Sequence, residues 1–424
     1  MDSERFAREV LSWDPRERVS NLCSDLIKIP SENPPGDCQE IAAFIREQLE
    51  RAGFLVRRIV GPSGQPSLVT ELEFGDGPVL ILNGHMDVVP PGDRARWSWD
   101  PFSGLQRDGY VLGRGASDMK GGLASLMVAL EHVASSDIHG LAGRIIFMAV
   151  PDEETGGSNG TGFLLDKGIV GDACLIAEPS GTNPTIGQKG NLWLRLRTEG
   201  QPAHGSLSPL VGVNAILDMY KGIQAIYSLY EKRWLIPPRE QELINRSQAI
   251  LRAEGRDLPA EALGRVTVNV GKITGGEKVN IVADRCEAHF DLRVPIGVET
   301  SEVLREAVEQ VNQVGLHNAF VKPYSTPNEP NYTPPEHPFV RLVSKVIKAV
   351  TRKDPSPVLQ WASSDARFFR YKGIPTVQYG PCELEGIHSY DERVSVDDLV
   401  QAARVYALLM CEFLCKGPGH LKSS

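Results

Sequence analysis

The chain has 424 residues, a net charge of −9 and 41% hydrophobic residues. That length exceeds one ordinary core and calls for two domains, and an acidic balance without a basic run excludes non-specific nucleic-acid binding, which rests on cationic patches. No apolar run approaches the ~18 residues of a membrane span, Met1-Asp2-Ser3-Glu4-Arg5 carries no apolar signal core, and seven scattered cysteines fit reduced thiols, so a cytoplasmic protein without a membrane partner is expected.

In chain order, Val19, Leu22, Cys23 and Leu26 form a helical apolar stripe. A helix over 38–52, closed by Gly53, and a buried strand starting at Val79 set the alternation of a doubly wound sheet. Just past that strand stand His85 and Asp87, where open α/β sheets place their chemistry. Residues two apart on an extended segment face the same side, so Asp87 can hold one ring nitrogen of His85 while the other faces a metal. Glycines then flank Asp118 at the entry to a helix whose stripe is Leu123, Leu126, Met127 and Leu130. The strand 144–150 leads into Pro151-Asp152-Glu153-Glu154-Thr155-Gly156-Gly157, and Cys174-Leu175-Ile176-Ala177 leads into Glu178. His388 comes late, in Gly386-Ile387-His388-Ser389.

Taken singly, these read more readily as a surface pair, a helix cap or a solvated turn. What points to a site is the recurrence of acid or imidazole after strand upon strand. Two histidines and three carboxylates without thiolate suit two metal ions, zinc foremost, with cobalt or manganese as substitutes. Of Glu153 and Glu154, one can bind metal and its neighbour serve as base.

The rhythm changes after Gly187. A strand over 191–198, a helix over 212–229, strands over 266–271 and 287–294, a helix over 301–314 and a strand over 319–324 give the β-α-β-β-α-β order of a ferredoxin-like unit. Metal-type residues resume only at Asp365 and His388, so residues 1–186 and 329–424 are expected to form one domain and 187–328 an inserted one. The charged stretch 231–263 exceeds what that unit needs and reads as a solvated insertion or as a trim to a pocket or a dimer seam. His289, alternating along an apolar strand, reads as a core residue. The tail helix starts at Ser395 with Asp398 as a capping box and stops before Gly417-Pro418.

The segments around His85, Asp118, Glu153-Glu154, Glu178 and His388, in this order, resemble the zinc-dependent M20 metallopeptidase and amidohydrolase family. Ser31-Glu32-Asn33-Pro34-Pro35-Gly36 extends the resemblance to nearly the whole chain. The family includes acetylornithine deacetylases, succinyl-diaminopimelate desuccinylases, aminoacylases and glutamate carboxypeptidases. The resemblance implies an α/β fold: a doubly wound, mainly parallel catalytic sheet with an inserted ferredoxin-like α+β lid or dimerisation domain. It implies two Zn2+ per chain. His85 and Glu178 would hold one, Glu154 and His388 the other, and Asp118 would bridge them, with Asp87 supporting His85 and Glu153 as general base.

Gln201-Pro202-Ala203-His204-Gly205-Ser206 resembles the lid motif whose histidine reaches a partner's active site, which implies a homodimer. Asn280, Arg293, Lys189, Ser364 and Gly386 are the implied substrate contacts, although Arg293 could simply pair with Asp291 or Glu287. The implied reaction is hydrolysis of the amide bond of a small N-acyl amino acid or related N-acylated amine, with water activated at the metals and Glu153 moving the proton. Asn33-Pro34-Pro35-Gly36 and the stretch 364–369 favour this deacylase branch. The alternatives are a metallo-carboxypeptidase or dipeptidase using the same site, and a non-catalytic metal-binding protein, which the complete ligand set disfavours.

Overall fold

The computed structural model describes residues 3–415, so Gly417 and Pro418 lie outside the described residues. The chain divides into two compact units, one of residues Met1–Ile186, Thr333–Pro357 and Ser364–Ser424, the other of Gly187–Tyr332 and Val358–Ser363.

In the first unit six neighbouring strands run in the order Val56–Val60, Pro66–Glu73, Arg144–Val150, Val79–His85, Ala173–Ile176 and Thr376–Gln378. The first two form an antiparallel edge, and the last four are parallel. The continuous apolar run Val79-Leu80-Ile81-Leu82 suits a strand buried on both faces. On one face Leu164, Leu165 and Phe369, from the helices Phe163–Asp166 and Ala366–Tyr371, pack against Ile81, Ile146 and Ile176. On the other, the helix Gly121–Ser135 comes close at Gly84, where a Cβ would stand 2.9 Å from Met119 Cε and 3.2 Å from Leu123 Cδ1. That same helix packs on Val396–Leu414, and Val19, Leu22, Cys23 and Leu26 are all buried.

The parallel register decides where chemistry can gather. His85 lies opposite Val150, and Asn83 opposite Ile176. Three strands therefore end nearly level, and the loops carrying Asp87, Glu153-Glu154 and Glu178 emerge side by side.

The second unit holds a four-stranded antiparallel sheet in the order Thr267–Gly275, Arg285–Val294, Gly190–Glu199, Ala319–Pro323. The helices Ala215–Tyr227 and Thr300–Gln313 cover one face, with Met219, Ile226, Val303 and Val311 against Leu194, Leu196, Phe290 and Leu292. This is the ferredoxin-like arrangement. Five details differ from the sequence reading. Residues 329–332, expected in the first domain, belong to the second unit. Val358–Ser363 joins the second unit, because Leu359 N donates to Ser247 Oγ at 3.1 Å. Ser247 belongs to the 231–263 insertion, which folds into the helices Pro238–Ala253 and Asp257–Leu263 and buries Leu243, Ile244, Leu251 and Leu263. His289 is on the outward sheet face, bonded to Glu287 and against the Tyr324 ring, so it is satisfied without being core. Ser395 precedes Val396–Leu414 as expected, but its side chain makes no capping bond.

Candidate metal centre

Each acid or imidazole reaches the centre from a strand end or an irregular turn. His85 closes its strand, with Nδ1 2.8 Å from the carbonyl oxygen of Asp87. A carbonyl only accepts, so Nδ1 carries the hydrogen and a neutral ring leaves Nε2 open to a metal. Asp118 sits in the turn Ala116–Lys120, where its own backbone angles depart from helical values. Its Oδ1 lies 3.1 Å from His85 Nε2, and its Oδ2 lies 3.3 Å from His388 Nε2. One carboxylate thus faces two imidazoles through separate oxygens. Glu178 Oε1 is 3.8 Å from His85 Nε2, and Glu154 Oε2 is 3.3 Å from His388 Nε2. Glu153 completes the ring, since a side-chain oxygen of it, His85 and a Glu178 oxygen all lie within 4.8 Å of one another.

The donor set fits a pair of divalent cations. Glu154 Oε1 and Glu178 Oε1 are buried and accept no hydrogen bond from any described residue. Buried carboxylate oxygens without donors are costly unless a cation sits against them. Four carboxylates around two imidazoles carry the charge that two divalent ions would offset, and imidazole with carboxylate is the chemistry of zinc, cobalt or manganese sites.

The metal-free electrostatics tell the same story. Burial raises the Glu153 carboxyl well above its ordinary range, and the charge of Glu178 adds to this. Burial likewise pushes Glu178 up to about 8 and raises Glu154. Burial opposes charge on Asp118 too, but hydrogen bonds from His388 and His85 outweigh it and hold that carboxyl below its usual value. His388 is pushed up to about 10 by its bonds to Asp118 and Glu154. Burial would lower His85, yet its bond to Asp118 and the charges of Glu178 and Glu153 carry it the other way. Without metal, protons occupy the places where cations would sit.

Asp87 works differently from the sequence reading. Its backbone carbonyl holds the His85 ring, while the nearer carboxylate oxygen, Oδ1, stays 3.7 Å from Nδ1. Instead the carboxylate accepts from Glu153 N at 3.2 Å, Glu154 N at 3.1 Å and Asn33 Nδ2 at 2.8 Å. It fixes the backbone of the two glutamates.

Two expected substrate contacts are otherwise engaged. Lys189 is buried, and Nζ donates to Ala262 O and Arg265 O at 2.7 Å and to Thr267 Oγ1 at 3.3 Å. The ammonium thereby ties down the end of Asp257–Leu263, and none of its three hydrogens is left for an anion. Ser364 Oγ accepts from Ala366 N and from Gln378 Nε2, a buried post at the start of a helix. Arg293 pairs with Asp291 at 2.9 Å, the alternative the sequence left open. Gly386 stands in the turn Leu384–Gly386 before His388.

In the second unit, Gly205 N donates to Asn280 O at 2.8 Å, which lays the His204 loop beside that of Asn280. Ser206 N donates to His204 Nδ1 at 3.3 Å, which assigns the ring hydrogen to the exposed Nε2. No local pattern points to the buried Arg114–Glu392 pair beside the Asp118 turn, whose partners are 278 positions apart. Nor does any show that Asn33 supports Asp87.

Comparison with known proteins follows the same lines. The profile of peptidase family M20/M25/M40 matches residues 81–412. A succinyl-diaminopimelate desuccinylase of Methylorubrum populi is 31% identical over 409 residues, covering 92% of this chain and 96% of the relative. The N-formyl-4-amino-5-aminomethyl-2-methylpyrimidine deformylase of Bacillus subtilis is 25% identical over 437 residues, with 96% of each chain covered. Among solved structures, the M20 family metallo-carboxypeptidase Sso-CP2 from Sulfolobus solfataricus superimposes with a TM-score of 0.77 at 22% identity, covering 92% of this chain and 98% of that one. At that identity the likeness speaks for the fold.

Proposed function

The chain belongs to the M20/M25/M40 peptidase family and is a metal-dependent amidohydrolase, and we propose that it is a dinuclear zinc deacylase releasing a small acyl group from an amino acid or similar amine. The observation that carries the dinuclear reading is Asp118, turned to His85 by one oxygen and to His388 by the other inside a ring of acids. The names of the desuccinylase and the deformylase favour an acylated amine over a peptide.

Two metal ions, when bound, would polarise the amide carbonyl and bring the pKa of a water toward neutrality. The chain's own groups do the rest. Glu153, kept basic by burial and by neighbouring charge, takes the proton of the attacking water and returns it to the leaving amine. Asp87 holds Glu153 and Glu154 through their amides, so the base and the adjacent ligand keep their spacing. Arg293, Asn280 and Gly386 remain the proposed substrate contacts. The seven free thiols suit a reducing compartment such as the cytoplasm, and among the described residues no helix is long and apolar enough to cross a membrane.

We also propose a homodimer formed by the second unit. Arg293 and the His204–Asn280 loops lie toward opposite ends of the strand Arg285–Val294, which at ~3.3 Å per residue separates them by about 25 Å. One copy cannot bring both to one small amide, so His204 would serve the centre of a second copy. Leu210 in the loop after His204, Leu217 and Tyr220 on the helix Ala215–Tyr227, and Ile273 on the edge strand Thr267–Gly275 are exposed. Apolar side chains beside an open strand edge form a surface that a second copy can cover.

The test pairs metal content per chain with hydrolysis of a panel of N-acetyl, N-succinyl and N-formyl amines and dipeptides. Two metals with cleavage of an acylated amine is the expected result, and preference for dipeptides would move the protein to the peptidase branch. Mixing inactive His204→Ala and Glu153→Ala variants should restore activity if the histidine acts across copies. No recovery would sink the dimer reading.

A further inference from the structure

We infer that Glu392 is a positioning residue that sets the spacing between Asp118 and His388, and so governs the second metal position. The inference rests on the dinuclear reading above. Glu392 is fully buried in the segment that follows His388. Its Oε1 accepts from Ser117 N and Asp118 N, each at 3.0 Å, and its Oε2 from Gly115 N at 3.1 Å and Arg114 Nη1 at 2.5 Å. One carboxylate therefore gathers three backbone amides, of Gly115, Ser117 and Asp118, and the Arg114 guanidinium from the segment that aims Asp118.

The clasp is reciprocal. Arg114, from the Asp118 turn, sends Nη2 back to Ser389 O at 2.9 Å, on the residue next to His388. Gly113 N to Glu392 O at 2.8 Å and Ser117 Oγ to Arg393 O at 2.7 Å close it further. His388 has φ of 56° and Asp391 of 58°, left-handed values that side chains avoid unless their surroundings impose them. Asp391 is held by Ser98, whose N and Oγ both donate to its carboxylate at 2.7 Å. The His388 ring is half exposed and meets only the other members of the centre, Asp118 and Glu154, through Nε2 among the described contacts. Its place is set through Ser389 and Glu392. By contrast His85 and Glu178 issue from paired strands of the central sheet, whereas the Glu392 side chain bonds to residues 114–118.

The distinction gives the test. Glu392→Gln retains one oxygen for the Ser117 and Asp118 amides but turns an NH2 group toward Gly115 N and Arg114, setting donors against donors. Metal-free wild type and variant, both full length, are titrated with Co2+, followed by visible absorption and by metal analysis. The second equivalent should weaken by about 10–100-fold, the usual cost of losing a group that orients a ligand, and the first, which shares Asp118 but keeps His85 and Glu178 on their strands, by clearly less. Equal weakening of both equivalents would reduce Glu392 to a general structural role and overturn the inference, as would two unchanged equivalents. Should Glu392→Gln fail to fold, Arg114→Lys serves instead: it keeps the buried charge, but one amine cannot span Glu392 and Ser389 O as the guanidinium does. Selective loss of the second equivalent is again expected, and its absence again refutes. A wild type that takes up only one metal would instead remove the dinuclear reading itself, a result seen before any variant is compared.

Discussion

Replacing Asp87 by Asn separates two accounts of how that residue acts. The backbone carbonyl survives, so the His85 ring keeps its partner and its tautomer. The carboxylate does not. Oδ1 serves Glu153 N, and Oδ2 serves Glu154 N and Asn33 Nδ2, so an amide must present NH2 to at least one backbone donor. Orphaning a buried donor costs about 1–3 kcal/mol. At about 2–4 °C per kcal/mol for a unit of this size, the melting midpoint should fall by roughly 2–12 °C. The glutamate turn shifts with it, and misplacing a catalytic group by about 1 Å lowers turnover by about 10²-fold. Steady-state kinetics, thermal melts and cobalt absorption on one preparation read all three. The expected pattern is a lower kcat, a near-constant KM and an unaltered first cobalt equivalent. Loss of the first cobalt equivalent with kcat per bound metal intact would return Asp87 to a role through His85 and refute the reasoning.

Glu153→Gln should keep its metals and lose two to four orders of magnitude in kcat, roughly the scale of general-base loss; unchanged turnover on acylated amines would remove Glu153 from the mechanism. The metal-free chain should lose stability as pH rises from about 5 to about 10. Glu178 and His388 both hold protons in the folded state, up to about 8 and about 10, that the unfolded chain has already released. Thermal melts in chelator check the slope, and stability rising over that window would contradict it. The same protons compete with metal, so metal affinity should climb with pH across that range, as isothermal titration at several pH values would show. Lys189→Met should lower the melting midpoint and leave KM unchanged, because three acceptors lose their donor. A raised KM with unaltered stability would restore the lysine as an anion contact.

The legible part of this protein is the part encoded locally. His85 and Asp87 announce themselves because strand, histidine and acid are contiguous, and the glycines about Asp118 and the doubled acid at Glu153-Glu154 carry the same short-range signal. The ferredoxin-like order could be read from alternation alone, with strand ends moving by a few residues, as at Thr267–Gly275. What stayed hidden depends on which distant backbone groups meet. The Asp87 carboxylate looks toward His85 in sequence and toward the Glu153 and Glu154 amides in space, because the register of Val79–His85 on Arg144–Val150 brings the two loops level. Lys189 looks like a free cation until the 231–263 helices fold and present Ala262 and Arg265 to it. Ser364 looks like a substrate hydroxyl until the fold turns its Oγ to Ala366 N and Gln378 Nε2.

The donors that converge on the centre are thus specified twice. Local pattern decides which residue stands at each strand end, and sheet register decides that those ends coincide. Parallel strands ending level expose their loops on one edge, and a buried edge crowded with carboxylates is unfavourable unless cations or protons are drawn into it. The hydrophobic code that aligns Val79–His85 with Arg144–Val150 and Ala173–Ile176 is therefore also what creates the demand for metal. His388 lies outside that code, on a loop with left-handed backbone, and needs the separate clasp of Arg114 and Glu392. On the proposed dinuclear reading, the second metal position should accordingly be the one more sensitive to mutations remote from the ligands.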